Sequence, residues 1–129
     1  MNFKNNNLLA IYLNEFNFSY LAKGAKKYKS KSILKFLRLN KVKTYTKDIT
    51  QDYNLDPWVQ SVSINTGKSS NKHKIFKLGQ RIEKNVNQIW DVLSQKKISC
   101  SVYGTMNSRL KKNKYINYYL PDPWNFKDK

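Results

Sequence analysis

Proline and glycine delimit one short segment of this chain and restrict its backbone. Pro57 suits the first turn of a helix, because the amide hydrogen that it lacks would have no helical partner there, and Asp56 can cap that turn. Gly67 tolerates the left-handed backbone that closes a helix. The sequence therefore predicts a helix over residues 58–66. Its side chains are unusually polar, with amides and hydroxyls at Gln60, Ser61, Ser63, Asn65 and Thr66. Such groups need partners when buried, which favours a functional or water-facing side.

Apolar patterns along the rest of the chain predict alternating strands and helices. Residues 8–13 form a nearly continuous apolar run, which is typical of a strand buried in a parallel sheet, and residues 42–46 and 98–103 are further candidate strands. Helices are predicted over residues 18–29, 32–39 and, most clearly, 80–95. In the last of these, one face carries Ile82, Val86, Ile89, Trp90 and Leu93. The alternation indicates one α/β domain over residues 1–129, with layered α/β/α architecture and a mainly parallel sheet.

Ligands of open α/β sheets gather beyond the carboxyl ends of the strands. In this chain those positions are Asn14 and Glu15 after the first predicted strand, and residues 105–107 after the last one. The predicted 58–66 helix is expected to face the same edge.

One longer pattern resembles a known family. Residues 56–79 contain PWVQSVSINTG, followed by a polar loop and His73. This pattern resembles the alkaline-phosphatase-like superfamily, especially its type I phosphodiesterase and sulfatase-like branches. Residues 8–18, 86–107 and 121–124 are similar to short stretches of that group's N-terminal half. The resemblance implies an incomplete domain of this superfamily. The chain would be the N-terminal part, or a degenerate relative, of a metal-dependent hydrolase of phosphate or sulfate esters, inactive alone.

The resemblance also implies roles for particular residues. Asn14 and Glu15 take the place of the family's first metal ligand, so a divalent ion such as zinc is implied. Ser61 and Ser63 are the hydroxyls nearest to the nucleophile position, which is itself occupied here by residues that cannot attack phosphorus. Family members have Asp at the first ligand position and a cluster of Asp and His ligands, whereas this chain has one histidine. Metal site and nucleophile are therefore incomplete here, and the chain holds either part of a metal site or none.

A separate anion site is predicted near the same helix. Lys68, Lys72 and His73 follow it closely, and helix N-termini favour anions. The alternative for His73 is a structural or solvent-exposed role, because one imidazole without carboxylate neighbours cannot form a metal site.

Charge supports a second functional hypothesis. The chain has 25 Lys+Arg against 8 Asp+Glu, a formal net charge of +17. No acidic residue lies between Glu15 and Asp48, where the cations include Lys26, Lys27, Lys31, Lys35 and Arg38. This distribution favours a small basic protein that binds RNA or another polyanion. Stacking on bases is available to Tyr28, Phe36, Tyr45, Tyr115, Tyr118 and Tyr119. The competing interpretation is a solvated lysine surface in a chain of AT-rich composition.

Cysteine content and the length of apolar runs indicate the cellular compartment of the protein. Cys100 is the only cysteine, so it forms no internal disulfide, and its default role is that of a small hydrophobic residue. The N-terminal apolar run is too short for a signal peptide or a membrane span, which predicts a cytoplasmic protein without a membrane partner. Aromatic residues near the C-terminus predict a covering partner, either a second copy or a missing C-terminal half.

Overall fold

Two compact units make up the chain. The computed structural model describes residues 7–43 and 56–125. Contacts group the chain into Met1–Tyr45 and Thr46–Lys129, referred to below as the first and second units. This division into units does not test the predicted single domain over residues 1–129, which stays a prediction.

The first unit contains two short helices, α1 (Phe18–Lys27) and α2 (Lys31–Phe36). The Asn17 side chain caps α1 by accepting the backbone N–H groups of the first turn at 2.9 and 3.1 Å, and Ser30 caps α2. Ala25 is the one buried side chain in residues 7–43. Both predicted helices are therefore confirmed, each ending two or three residues earlier than expected.

The apolar run at residues 8–13 does not form the predicted buried strand. Its side chains are exposed, with Leu8 91% accessible, and the backbone adopts no regular structure. A strand needs a neighbour for its N–H and C=O groups, and the two strands in the described part of the chain pair with each other. The apolar composition indicated burial but could not supply a pairing partner. Residues 42–43 are also irregular, and the remainder of the predicted 42–46 strand lies outside the described residues.

The second unit contains three helices and two strands in its described residues: α3 (Pro57–Thr66), α4 (Ser70–His73), α5 (Ile89–Gln95), β1 (Cys100–Thr105) and β2 (Ile116–Pro121). The strands form a parallel two-stranded sheet in which Cys100 pairs with Ile116 and Val102 with Tyr119. Mixed helices and strands with a small parallel sheet agree with the α/β class. The predicted strand over residues 98–103 is confirmed with a two-residue shift.

Helix α3 begins and ends where the sequence predicts. Pro57 occupies the first turn, and Gly67 closes the helix with a φ of 63°. The Asp56 side chain makes no capping hydrogen bond, so that part of the prediction is wrong.

The predicted helix over residues 80–95 is limited to Ile89–Gln95, because other groups take the hydrogen bonds of the first half. The Gln80 side chain accepts two N–H groups of the preceding turn at 2.8 and 3.2 Å. The Arg109 guanidinium donates to the Val86 carbonyl at 2.9 Å, which a continuous helix would use internally. Asp91 then accepts the N–H of Gln88 at 2.9 Å and so caps the shorter helix.

The hydrophobic core lies in the second unit, where Val62 of α3 packs with Ile75, Ile82 and Val86. Ile82 and Val86 are buried as their spacing predicts, although they lie in an irregular segment. Each such side chain contributes about 1.5–3 kcal/mol by leaving water. In the part of the chain that the structure describes, no helix is both long and apolar enough to cross a membrane.

Candidate functional site

The carboxyl ends of β1 and β2 lead into a group of buried polar side chains. This strand-end cluster consists of Asn107, Ser108, Arg109 and Asp122. The first three follow β1 and the fourth follows β2 directly. Four buried polar residues at the edge where α/β sheets collect ligands make this the candidate site of the second unit.

Asp122 fixes the backbone of both strand-end loops. Its Oδ2 accepts the backbone N–H of Asn107 at 2.9 Å, and its Oδ1 accepts the N–H of Trp124 at 2.9 Å. Both carboxylate oxygens therefore have protein donors. Asp122 acts as a positioning residue for the two loops.

Asn107 links the cluster to a distant turn. Its side-chain oxygen accepts the N–H of Gly79 at 2.7 Å, and its Nδ2 donates to the Lys77 carbonyl at 2.9 Å. Its own φ is 50°, a left-handed value that asparagine tolerates better than most residues. At Gly79, a Cβ would lie 3.0 Å from the Trp124 carbonyl oxygen and φ is 72°, so glycine is required there.

Arg109 joins the cluster to α5. Its backbone N–H donates to the Gln88 side-chain oxygen at 3.0 Å, and its carbonyl accepts the indole N–H of Trp90 at 3.2 Å. The guanidinium lies 4.0 Å from Asp91 Oδ2, and Lys111 Nζ lies 3.9 Å from the same oxygen. Two cations thus share the buried carboxylate of Asp91.

Asp91 also acts on the only thiol. Burial, and secondarily the negative charge of Asp91, raise the pKa of Cys100 above the ordinary thiol value. The thiol is therefore protonated at neutral pH and is a poor nucleophile. Cys100 is half-buried, and its role as a small buried hydrophobic residue stays a prediction.

The two predicted catalytic hydroxyls lie on α3. Ser61 donates to the Met106 carbonyl at 3.5 Å and accepts from Asn65 at 3.4 Å, so it lies beside the loop that follows β1. Ser63 Oγ lies 3.0 Å from Nε2 of His73.

The tautomer of His73 decides whether its contact with Ser63 can activate the Ser63 hydroxyl. The backbone N–H of Ile75 donates to Nδ1 at 3.0 Å, so the ring proton lies on Nε2 and points to Ser63. A general base must accept a proton from the hydroxyl that it activates. In this arrangement His73 donates instead, so the pair is not arranged as base and nucleophile.

The three predicted anion-binding residues do not share one environment. His73 is 1% exposed and its ring nitrogens take part in the contacts of Ser63 and Ile75, which gives it a structural role. Lys68 is half-buried and Lys72 exposed. Both lie beyond the C-terminal end of α3, and a helix of that length separates them by about 15 Å from its N-terminal N–H groups. Lys68 and Lys72 remain candidate anion-binding residues, but the N-terminus of α3 is too distant to contribute to the same site.

Asn14 and Glu15, the predicted metal ligands, lie in the turn before α1, where Glu15 has a φ of 55°. A zinc site takes three or four protein ligands, and these residues supply one amide and one carboxylate. Residues 7–43 and 56–125 hold no group of three or more His, Cys, Asp or Glu side chains arranged for a metal ion. The two residues therefore do not fit a zinc site by themselves.

The basic residues proposed for nucleic acid are on the surface of the first unit. All are exposed on or just after α1 and α2: Lys26, Lys27, Lys31, Lys35 and Arg38. Three lysines of residues 7–43 lie beside exposed aromatic rings: Lys23 Nζ is 5.8 Å from the Tyr20 ring centroid, Lys27 Nζ 5.4 Å from that of Tyr28 and Lys41 Nζ 5.9 Å from that of Phe18.

The sequence did not identify one part of the strand-end cluster and one part of the basic surface of the first unit. Strand β2 was missed, and with it the position of Asp122 at a strand end. The signal was present, because residues 116–120 are rich in aromatic and branched side chains and a Pro-Asp pair follows them. Tyr20 was also missed as an aromatic partner for the basic surface.

Comparison of the chain with protein-family models, with curated proteins and with solved structures finds no match in any of the three.

Proposed function

We propose that this chain is the N-terminal part, or a degenerate relative, of a metal-dependent hydrolase of phosphate or sulfate esters, and that it is inactive alone. One observation supports this proposal. Three segments that carry the family resemblance, although distant in sequence, meet at the carboxyl ends of the parallel strands. Helix α3 reaches the loop after β1 through Ser61, and that loop reaches the Pro-Asp-Pro-Trp segment through Asp122.

The charged side chains of this region are balanced in number. Arg109 and Lys111 flank the buried carboxylate of Asp91, and Asp122 adds a second carboxylate in the strand-end cluster. Ser61 contacts the loop after β1, whereas Ser63 accepts from His73. Ser61 is therefore the better of the two proposed nucleophiles. Asn14 and Glu15 would need further ligands to hold a divalent ion.

The test is to read the coding DNA beyond Lys129 and to produce this chain joined to whatever follows in frame. The chain alone and the joined product are assayed with p-nitrophenyl phosphate, bis-p-nitrophenyl phosphate and p-nitrophenyl sulfate, with and without zinc. We expect turnover by the joined product only, with loss on chelation and on Ser61→Ala. Downstream sequence without Asp and His motifs, together with no turnover, would exclude the N-terminal part and leave the degenerate relative. Turnover by the chain alone would overturn the proposal.

The exposed cations of the first unit favour a second candidate function, the binding of RNA or another polyanion. In residues 7–43 the single carboxylate is Glu15, and the lysines and arginine of α1 and α2 face solvent. Phosphate contacts release counterions, so the logarithm of the binding constant should fall by roughly 0.7 per contact for each tenfold rise in salt.

Fluorescence anisotropy with labelled RNA across a potassium chloride series tests the second candidate. Exchange of Lys26, Lys27, Lys31 and Lys35 for glutamine should weaken binding and flatten the salt dependence. The matched control exchanges four exposed lysines of the second unit for glutamine and should change neither: Lys77, Lys84, Lys96 and Lys97. Binding that is insensitive to salt would exclude this function.

A further inference from the structure

A mainly apolar groove lies within the first unit. It is bounded by the turn before α1, by α1 itself and by the start of α2, and its volume is about 580 Å³. The main apolar and aromatic side chains that line it are Leu13, Phe16, Tyr20, Leu21, Tyr28 and Ile33. This volume lies within the range of sites that enclose small organic ligands.

Two tyrosines present flat ring surfaces at this groove. Tyr20 is 73% exposed and Tyr28 is 75% exposed, so neither ring is used for core packing. Lys23 lies beside the first ring and Lys27 beside the second, at 5.8 and 5.4 Å from the ring centroids. Each aromatic surface thus has a cation next to it.

The surroundings of the groove are strongly positive. Lys26, Lys29 and Lys31 follow on or between the two helices and are exposed. Glu15, which also lines the groove, is the one carboxylate in residues 7–43. An occupant should therefore combine flat apolar surfaces with negative charge.

We propose that this groove binds the unpaired bases of a single-stranded nucleic acid, with Tyr20 and Tyr28 stacking on bases and Lys23 and Lys27 contacting the adjacent phosphates. The proposal rests on the polyanion-binding function and adds a substrate class to it. Stacking on aromatic side chains requires exposed base faces, which a duplex hides between its base pairs. Each of the two rings has its own cation beside it, as each base of a strand has its own phosphate.

The experiment measures binding of five fluorescein-labelled or competing ligands across a potassium chloride series. They are twelve-residue oligo(dT) and oligo(rU), a twelve-base-pair DNA duplex, and two unlabelled competitors without bases, heparin and a poly-glutamate peptide. The tested variant is Tyr20→Ala with Tyr28→Ala, and the control is Tyr103→Ala, an exposed tyrosine on β1. Circular dichroism checks that each variant keeps the helical content of the parent chain.

We expect the double tyrosine variant to bind single strands at least roughly tenfold more weakly, with an unchanged salt slope and unchanged affinity for duplex and heparin. Tyr103→Ala should leave every affinity as it is. Glu15→Gln should strengthen binding, because it removes the negative charge from the groove. A preference for oligo(rU) or for oligo(dT) would identify RNA or DNA as the source of the strand.

Two outcomes separate this inference from the function on which it rests. Equal affinity for single strand and duplex, with no effect of the tyrosine exchanges, would overturn the groove assignment while polyanion binding stands. Competition by a poly-glutamate peptide as strong as that by oligo(dT) would also overturn it, since an acidic peptide would then be the better occupant. Failure of every ligand to bind at low salt would exclude both.

Discussion

At the scale of single residues, Asn107 carries an unusual share of the contacts between distant segments. Its amide bonds to Gly79 and Lys77 while its backbone holds a φ of 50°. Exchange of Asn107 for alanine removes two part-buried hydrogen bonds, to the Gly79 N–H and the Lys77 carbonyl, and strains the left-handed backbone. We expect the free energy of unfolding to fall by about 2–4 kcal/mol, measured by urea denaturation.

Two further variants separate the causes of that loss. Asn107→Gly removes the hydrogen bonds but tolerates the backbone, so it should lose less than Asn107→Ala. Exchange of the exposed Asn85 for alanine should change stability by less than about 0.5 kcal/mol. An Asn107→Ala protein as stable as the Asn85→Ala protein would show that the linking role is absent.

Cys100 gives a second residue-scale expectation, in its pH dependence. Burial and Asp91 raise its pKa in the folded state, so the folded chain holds the thiol proton more tightly than the unfolded chain. The stability this provides is complete below the ordinary thiol pKa of about 8.5 and is lost as pH rises through the higher folded-state value. The rate of alkylation by iodoacetamide should therefore reach its midpoint at a higher pH than for free cysteine, measured by mass spectrometry.

Asp91→Asn is the matched variant for the thiol. Removing the negative charge should lower the pKa of Cys100 and move the midpoint of alkylation to lower pH. A parent chain that alkylates with the midpoint of free cysteine would contradict the expected shift.

At the scale of elements, α3 and α4 are joined by the contact between Ser63 and His73. The buried imidazole accepts from Ile75 and donates to the Ser63 hydroxyl, so the two helices share one ring. His73→Ala should cost about 2–4 kcal/mol and Ser63→Ala about 0.5–1.5 kcal/mol of unfolding free energy. The double variant should fall short of the sum by about 0.5–1.5 kcal/mol, which a double-mutant cycle measures.

Strict additivity of the two exchanges would show that the hydrogen bond does not form. His73→Phe retains volume but lacks both ring nitrogens, so it should be less harmful than His73→Ala and should also abolish the coupling to Ser63.

Elements were predictable where their own residues determine both ends. Pro57 and Gly67 define α3 locally, and no distant contact is needed to place it. The 80–95 segment has equally clear periodicity, but Arg109 takes a carbonyl that a continuous helix requires. That bond depends on a residue far along the chain, which a periodic pattern cannot reveal. The predicted strand over residues 8–13 is wrong for a related reason, because an apolar run does not indicate which strand would pair with it.

The candidate site was only partly predictable for the same physical cause. Residues 105–107 were expected to collect ligands because they follow a strand, and Asn107 does lie in the strand-end cluster. Asp122 joins it through a hydrogen bond to Asn107, which depends on the parallel pairing of β1 and β2. Pairing between segments of different sequence position is a tertiary property, so local patterns indicated the first loop and not the second.

At the scale of the whole molecule, the two units differ in how much they bury. The described residues of the first unit bury Ala25 alone, whereas the second unit has a core around Val62 and Ile75 and a set of buried polar side chains. Local opening is easiest where few apolar contacts oppose it. Amide hydrogens of α1 should therefore exchange on the order of 100-fold faster than those of α3, measured by hydrogen–deuterium exchange with mass spectrometry.

Oligo(dT) binding and the Val62→Ala exchange are the controls for the expected difference in hydrogen exchange between α1 and α3. Saturation with oligo(dT) should slow exchange in α1 and leave α3 unchanged, because the proposed groove lies in the first unit. Val62→Ala opens a cavity in the core of the second unit, so it should speed exchange in α3 and leave α1 as it was. Equal protection of α1 and α3 in the parent chain would mean that the first unit is stabilised by contacts beyond those of its described residues. Its exposed apolar side chains would then be the surface to examine, since a buried partner for them would explain the added protection.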